Sequence, residues 1–235
     1  MAVELDKAFE TLKTYNWGTD RALLNPIDNA VVTLHGNAEA TKELECRLAA
    51  VLATGVSRDA KDYVCRKLAV IGTAASVPAL AALLPDKDNS HMARYALERI
   101  TAPEAVEALQ EALPKVCGVL KIGVIGSLGV RRDAASVPAF AALLCDADSA
   151  VAIAAAHALG DVGCAAAAQA LGNVVKTAAP ALKPAVADAS LACAERLLAS
   201  GQKPAAIAVY KSLGGDDQPK HVRLAAKRGL LAAIK

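Results

Sequence analysis

Residues 74–84 read Ala-Ala-Ser-Val-Pro-Ala-Leu-Ala-Ala-Leu-Leu, and residues 134–144 read Ala-Ala-Ser-Val-Pro-Ala-Phe-Ala-Ala-Leu-Leu. The two differ at one position, Leu80 against Phe140, and each runs on into Asp-x-Asp, at Asp86/Asp88 and Asp146/Asp148. Self-similarity at a fixed interval is the signature of a repeat array. The interval of 60 divides in two, because Val106-Glu107-Ala108-Leu109 matches the segment from Val77 to Leu80. One column of anchors is then Leu80, Leu109, Phe140 and Leu171, with steps of 29, 31 and 31. A second column, Leu68, Leu97, Leu128 and Leu159, has the same steps, so each member precedes its counterpart in the first by a constant distance. The unit is about 30 residues long and carries one anchor on each of two helices.

Spacing around the anchors is helical. Val64, Leu68 and Ile71 form an i, i+4, i+7 set, as do Ala93, Leu97 and Ile100, and Ala155, Leu159 and Val162. Each set predicts one buried stripe. Pro78 and Pro138 fall in the first turn of their helices, where a missing N–H costs little. Gly72, Gly129 and Gly163 are expected in the turns that end second helices. The composition agrees: 55 alanines, 54% hydrophobic residues and only 3% aromatics across 235 residues favour helix over a β-sandwich or barrel. The stretch from Leu68 to Pro85 carries no charge, and its length is at the lower limit for a membrane span. Gly72-Thr73 and Pro78 interrupt it, so it reads as two short buried helices joined by a turn.

The unit resembles the short bacterial HEAT repeat, also known as the phycobilisome-lyase HEAT-like repeat. The resemblance rests on Val-Pro-Ala-Leu-x-x-Leu-Leu, on the Asp-x-Asp turn and on Ala-Leu-Gly-Asp-Val-Gly at 158–163, and it covers residues 57–175. It implies an all-α, right-handed α-solenoid of stacked antiparallel helix pairs, with second helices lining a concave binding face. It also implies that Arg94 pairs with the turn residues Asp86 and Asp88. The chain is read as a single HEAT-like domain over 1–235. Residues 1–37 form an N-terminal capping pair, 38–175 the regular repeats and 176–235 divergent C-terminal repeats. Both ends look like helix pairs that a longer chain could continue. Trp17, the only tryptophan, lies in Tyr15-Asn16-Trp17-Gly18 and is expected to plug the end of the core, since terminal repeats are atypical, with a binding role as the alternative.

Catalytic motifs are not found. The four histidines, His35, His91, His157 and His221, are not next to Glu and show no metal-ligand spacing. This matters because deoxyhypusine hydroxylase, a HEAT-like enzyme, is implied to bind iron through His-Glu pairs. There is no GxSxG elbow and no GxxxxGK[ST] phosphate loop. Gly123, Gly126 and Gly129 fall within a second helix, where close helix packing explains them. The expectation is a protein that is not an enzyme and needs no cofactor. The six cysteines, Cys46, Cys65, Cys117, Cys145, Cys164 and Cys193, are widely spaced with no CxxC pair. Most sit in apolar, Ala-rich helical segments, where small buried thiols are common, and they read as reduced thiols in a cytoplasmic protein. The acidic start, with Glu4 and Asp6, does not read as a signal peptide.

Positions two before, five before and two after each second-helix anchor point away from the buried stripe. They give Arg66, Tyr63 and Val70 in one repeat and Tyr95, Met92 and Arg99 in the next. Tyr and Arg are the residue types of interface hot spots. Tyr63, Arg66, Met92, Tyr95 and Arg99 are therefore the candidate partner-binding residues, with packing against neighbouring helices as the competing role. The expected function is a protein–protein interaction scaffold or adaptor binding another protein or protein segment, with no membrane partner. The alternative is a nucleic-acid-binding solenoid. Its basic stretches hold Arg58, Lys61, Arg66 and Lys67, then Lys115, Lys121, Arg131 and Arg132, and at the C-terminus Lys220, Arg223, Lys227, Arg228 and Lys235. The net charge of only +2 and the few aromatics weigh against it. A bilin-lyase-like or enzyme-accessory protein is the third reading.

Overall fold

The computed structural model describes residues 2–234. Lys235, counted in the C-terminal basic stretch, lies outside the described residues. Every regular element among them is helical, and there are 14 α-helices. They are α1 (Ala2–Leu12), α2 (Asn25–Thr33), α3 (Ala38–Leu52), α4 (Arg58–Ile71), α5 (Val77–Ala81), α6 (Ser90–Leu97) and α7 (Pro103–Ala112). Then follow α8 (Gly118–Val130), α9 (Val137–Leu143), α10 (Ser149–Val162), α11 (Ala165–Val174), α12 (Lys183–Ala199), α13 (Lys203–Ser212) and α14 (Lys220–Ile234). The chain divides into two compact units, Met1–Val116 and Cys117–Lys235.

In the first unit, α1 packs on α2, α3 on α4 and α5 on α6, while α2, α4 and α6 form one row and α3, α5 and α7 another. In the second unit, α9 packs on α10, α11 on α12 and α13 on α14. There α8, α10, α12 and α14 form one row, and α9, α11 and α13 the other. Helices packed as neighbouring pairs in two rows are the arrangement of an α-solenoid. All eight anchors, Leu80, Leu109, Phe140, Leu171, Leu68, Leu97, Leu128 and Leu159, are 0% exposed. The two columns are the core of the array.

Local chemistry sets the helix ends. Asn37, Ser57 and Asp148 cap α3, α4 and α10 by accepting from backbone N–H groups. Pro78 and Pro138 sit in the first turns of α5 and α9, each after a short 3-10 turn that begins at Ala74 or Ala134. Asp86 accepts from the N–H of Asp88 and from Asn89. Asp146 accepts from the N–H of Asp148. Both Asp-x-Asp sequences thus close their own turns.

Two glycine assignments divide. Gly163 ends α10 with φ 61, in the left-handed region. Gly129 does not end a helix. It lies inside α8, where a Cβ would come within 3.1 Å of the Ala158 Cα. One repeat later, a Cβ on Gly160 would come within 2.9 Å of the Ala189 carbonyl oxygen. Residues directly after the anchors Leu128 and Leu159 therefore let α8, α10 and α12 approach backbone to backbone.

All six cysteines are free thiols. Only Cys65 and Cys193 are buried, whereas Cys46, Cys117 and Cys145 are exposed and Cys164 is half-buried. Of the three exposed thiols only Cys46 lies within a helix; Cys117 precedes α8 and Cys145 follows α9. No helix among the described residues is long and apolar enough to cross a membrane.

Candidate partner-binding cleft

The segment after α1 crosses the start of α4 and is tied to it. The Trp17 N–H donates to Asp59 Oδ2 at 2.9 Å, and Ser57 Oγ donates to the Tyr15 carbonyl. These contacts span 42 residues and open a cleft of about 430 Å³ between the segment and α4. Tyr15, Trp17, Arg21, Asp62, Tyr63, Arg66 and Lys67 are among its walls.

Trp17 is 93% exposed. The expectation that it plugs the core is overturned: its backbone is anchored, and its ring is left in solvent at the cleft mouth. Leu12, Leu24 and Ile27, each 0% exposed, close the core in its place.

Tyr63 and Met92 are also corrected. They are 5% and 2% exposed and do not belong to an outward stripe. The position five before the anchor turns toward the preceding second helix, so Tyr63 on α4 meets α2, and Met92 lies on α6, which packs on α4. The Tyr63 hydroxyl donates to Asp28 Oδ1 at 2.8 Å and to the Leu24 carbonyl at 3.2 Å. Asp28 also receives Lys67 Nζ at 2.6 Å and Arg21 Nη2 at 3.1 Å. Burial alone would push the Asp28 carboxyl up. The hydrogen bonds from Lys67 and Tyr63 and the charges of Lys67 and Arg21 outweigh it and hold the carboxyl below its ordinary value. Burial first, and then the bond to Asp28, push the Tyr63 phenol far above its usual range. The Tyr63 ring lies beneath two cations, Lys67 Nζ at 4.9 Å and the Arg21 guanidinium at 5.8 Å, and beside the Tyr15 ring at 6.3 Å.

Arg66, Tyr95 and Arg99 come together as the sequence suggested. Arg66 and Arg99 are exposed and Tyr95 is half-buried between them. The guanidiniums lie 5.7 and 3.7 Å from the Tyr95 ring centroid. Arg66 Nε donates to Asp62 at 3.0 Å, and Arg99 Nη1 donates to the Tyr95 carbonyl at 3.1 Å. The hydrogen bond from Arg66 to Asp62 holds its cation above the ordinary arginine value. The two guanidiniums are thus oriented before any ligand arrives, which lowers the ordering cost of binding.

Sequence reasoning missed Arg21 and Asp59 as parts of this site; it set a binding role for Trp17 behind the core plug and read Lys67 only as part of a basic stretch. An aromatic residue in an Asn- and Gly-containing loop was a signal, because loops on a rigid scaffold often carry function. The contact with Asp59 had no local trace. Among the described residues no group of three or more His, Cys, Asp or Glu converges to hold a metal ion.

No family model matches the chain, and no curated protein matches it. Similar solved structures include an engineered protein and human deoxyhypusine hydroxylase in complex with glycerol. The engineered protein is 19% identical over 89% of this chain and 96% of that one, with a TM-score of 0.41. The hydroxylase is 16% identical over 99% of this chain and 96% of that one, with a TM-score of 0.38. Likeness of that degree says nothing about function.

Proposed function

We propose that the chain is a HEAT-like repeat protein acting as a non-catalytic, cofactor-free interaction scaffold in the cytoplasm. A segment of a partner protein engages the cleft at Trp17 and the Arg66–Tyr95–Arg99 stack. The observation that carries this reading is the 93% exposure of the only tryptophan, at the mouth of a cleft whose rim includes Arg66. Trp, Tyr and Arg are the residue types enriched at the energetic centres of interfaces. Ties on the backbone at Tyr15 and Trp17 limit the entropy lost on binding.

The test is capture of partners from the native lysate with and without nuclease, using wild type and an Arg66→Ala/Tyr95→Ala variant. A discrete protein should survive nuclease and be lost with the variant. The variant should keep its helicity and melt within a few degrees of wild type, since Arg66 is exposed and Tyr95 is packed only against the two exposed arginines on its open side. Retention of the partner by the variant would remove the cleft from the interaction. The second reading, nucleic acid stacked on Trp17 and drawn by the neighbouring guanidiniums, predicts that nuclease releases everything.

A further inference from the structure

Helix α14 contains a seven-residue repeat that the 30-residue unit does not account for. Lys220-His221-Val222-Arg223-Leu224-Ala225-Ala226 is followed by Lys227-Arg228-Gly229-Leu230-Leu231-Ala232-Ala233, with Lys, Leu, Ala and Ala in common. The period divides the helix into two faces. Val222, Ala226 and Ala233 are buried against α12 and α13. Leu224 and Leu231 face outward, 56% and 67% exposed, and Ile234 is 75% exposed. Lys220 and Lys227 flank the leucines on one side and Arg228 on the other, and all three are exposed. Exposed Ala225 and Ala232 lie beside them and leave room for close approach. The helix has no acidic residue. Residues 117–235 hold 13 Lys and Arg against 8 Asp and Glu, a formal +5, while residues 1–116 hold 13 against 16, a formal −3.

Leucines seven apart lie in line on one face of a helix, and with basic residues on both sides they form an apolar ridge edged by positive charge. A lipid surface binds in proportion to the apolar area it buries, and this face offers three large side chains, Leu224, Leu231 and Ile234, and no aromatic. Pairing α14 with α14 of a second copy would set Lys220, Lys227 and Arg228 against their equals, which opposes association. We propose that the outward face of α14 docks an acidic amphipathic helix of a partner protein. Leu224 and Leu231 pack against its apolar seam, and Lys220, Lys227 and Arg228 pair with Asp or Glu beside that seam. This surface is independent of the cleft in the first unit, so either proposal can fail alone.

The test titrates the full chain against a labelled synthetic peptide of about 21 residues, long enough to form a helix, with Leu at every a and d position and Glu at every e and g. A control peptide carries Lys in place of Glu. The Glu peptide should bind saturably, and the Lys peptide should bind at least roughly tenfold more weakly because its charges repel. A Leu224→Glu/Leu231→Glu variant should lose roughly tenfold or more in affinity for the Glu peptide with unchanged circular dichroism, since both leucines are exposed. Equal binding of the two peptides, unaltered binding by the variant or no binding of either peptide overturns the proposal. So does sedimentation with phosphatidylserine vesicles without peptide binding, which would assign the face to lipid. Self-association that the variant disperses, again without peptide binding, would assign it to a second copy.

Discussion

Asp28 is where the first unit gathers its charge: one half-buried carboxylate takes a lysine, an arginine and a tyrosine hydroxyl. Because its carboxyl titrates lower folded than free, its contribution to stability is complete above the ordinary aspartate value. That contribution disappears as the pH falls through the folded value. Comparison of wild type with Asp28→Asn by denaturant unfolding across pH should give a gap at neutral pH that closes on the acid side of pH 4, about the free aspartate value. Tyr63→Phe should cost about 1.5–3 kcal/mol in the same measurement, because it removes a hydrogen bond to a charged group while keeping the ring. Thiol reactivity follows exposure in the same way. Burial pushes the Cys65 and Cys193 thiols up to about 12, and both are shielded from reagent. Native alkylation read by peptide mass spectrometry should modify Cys46, Cys117 and Cys145 and reach Cys65 and Cys193 only after unfolding.

At the scale of the element, the second unit depends on small residues directly after its anchors. A Cβ at Gly160 would meet the backbone of Ala189 on α12, which cannot move aside as a flexible side chain would. Gly160→Ala should therefore destabilise the protein, although alanine is the better helix former by about 1 kcal/mol. Gly163→Ala should also destabilise, for two reasons. Its φ of 61 disfavours a side chain, and the stem of Arg196, which pairs with Asp161 at 2.9 Å, occupies the space. Melting temperatures of the two variants test both statements. A rise for Gly160→Ala would mean that α10 and α12 separate at little cost.

On the scale of the whole molecule, each unit has its own share of the two anchor columns. In arrays of this kind stability is a sum of local terms and interfaces between neighbours. Leu97→Ala should cost about 2–5 kcal/mol. It should speed amide exchange across α3 to α7 more than across α10 to α13, as hydrogen exchange read by mass spectrometry would show. Equal acceleration in both units would mean that the chain unfolds as one cooperative block.

The helices, their pairing and the eight anchors were all legible in the sequence. They depend on spacing along the chain: the helical period for each stripe and a step of 29 or 31 for each column. The anchors are fully buried because each must share one face with its apolar neighbours a turn away. The Arg66–Tyr95–Arg99 group was legible for the same reason, as positions two before and two after an anchor in adjacent repeats. Contacts between distant segments were not. Whether the position five before an anchor faces water or the preceding helix depends on how α4 lies on α2, and this buried Tyr63. The place of Trp17 depends on a bond to Asp59 across 42 residues, and this left the ring in solvent. Periodicity determines which face of a helix turns inward. Only tertiary packing decides what that face, and the loop beside it, meets.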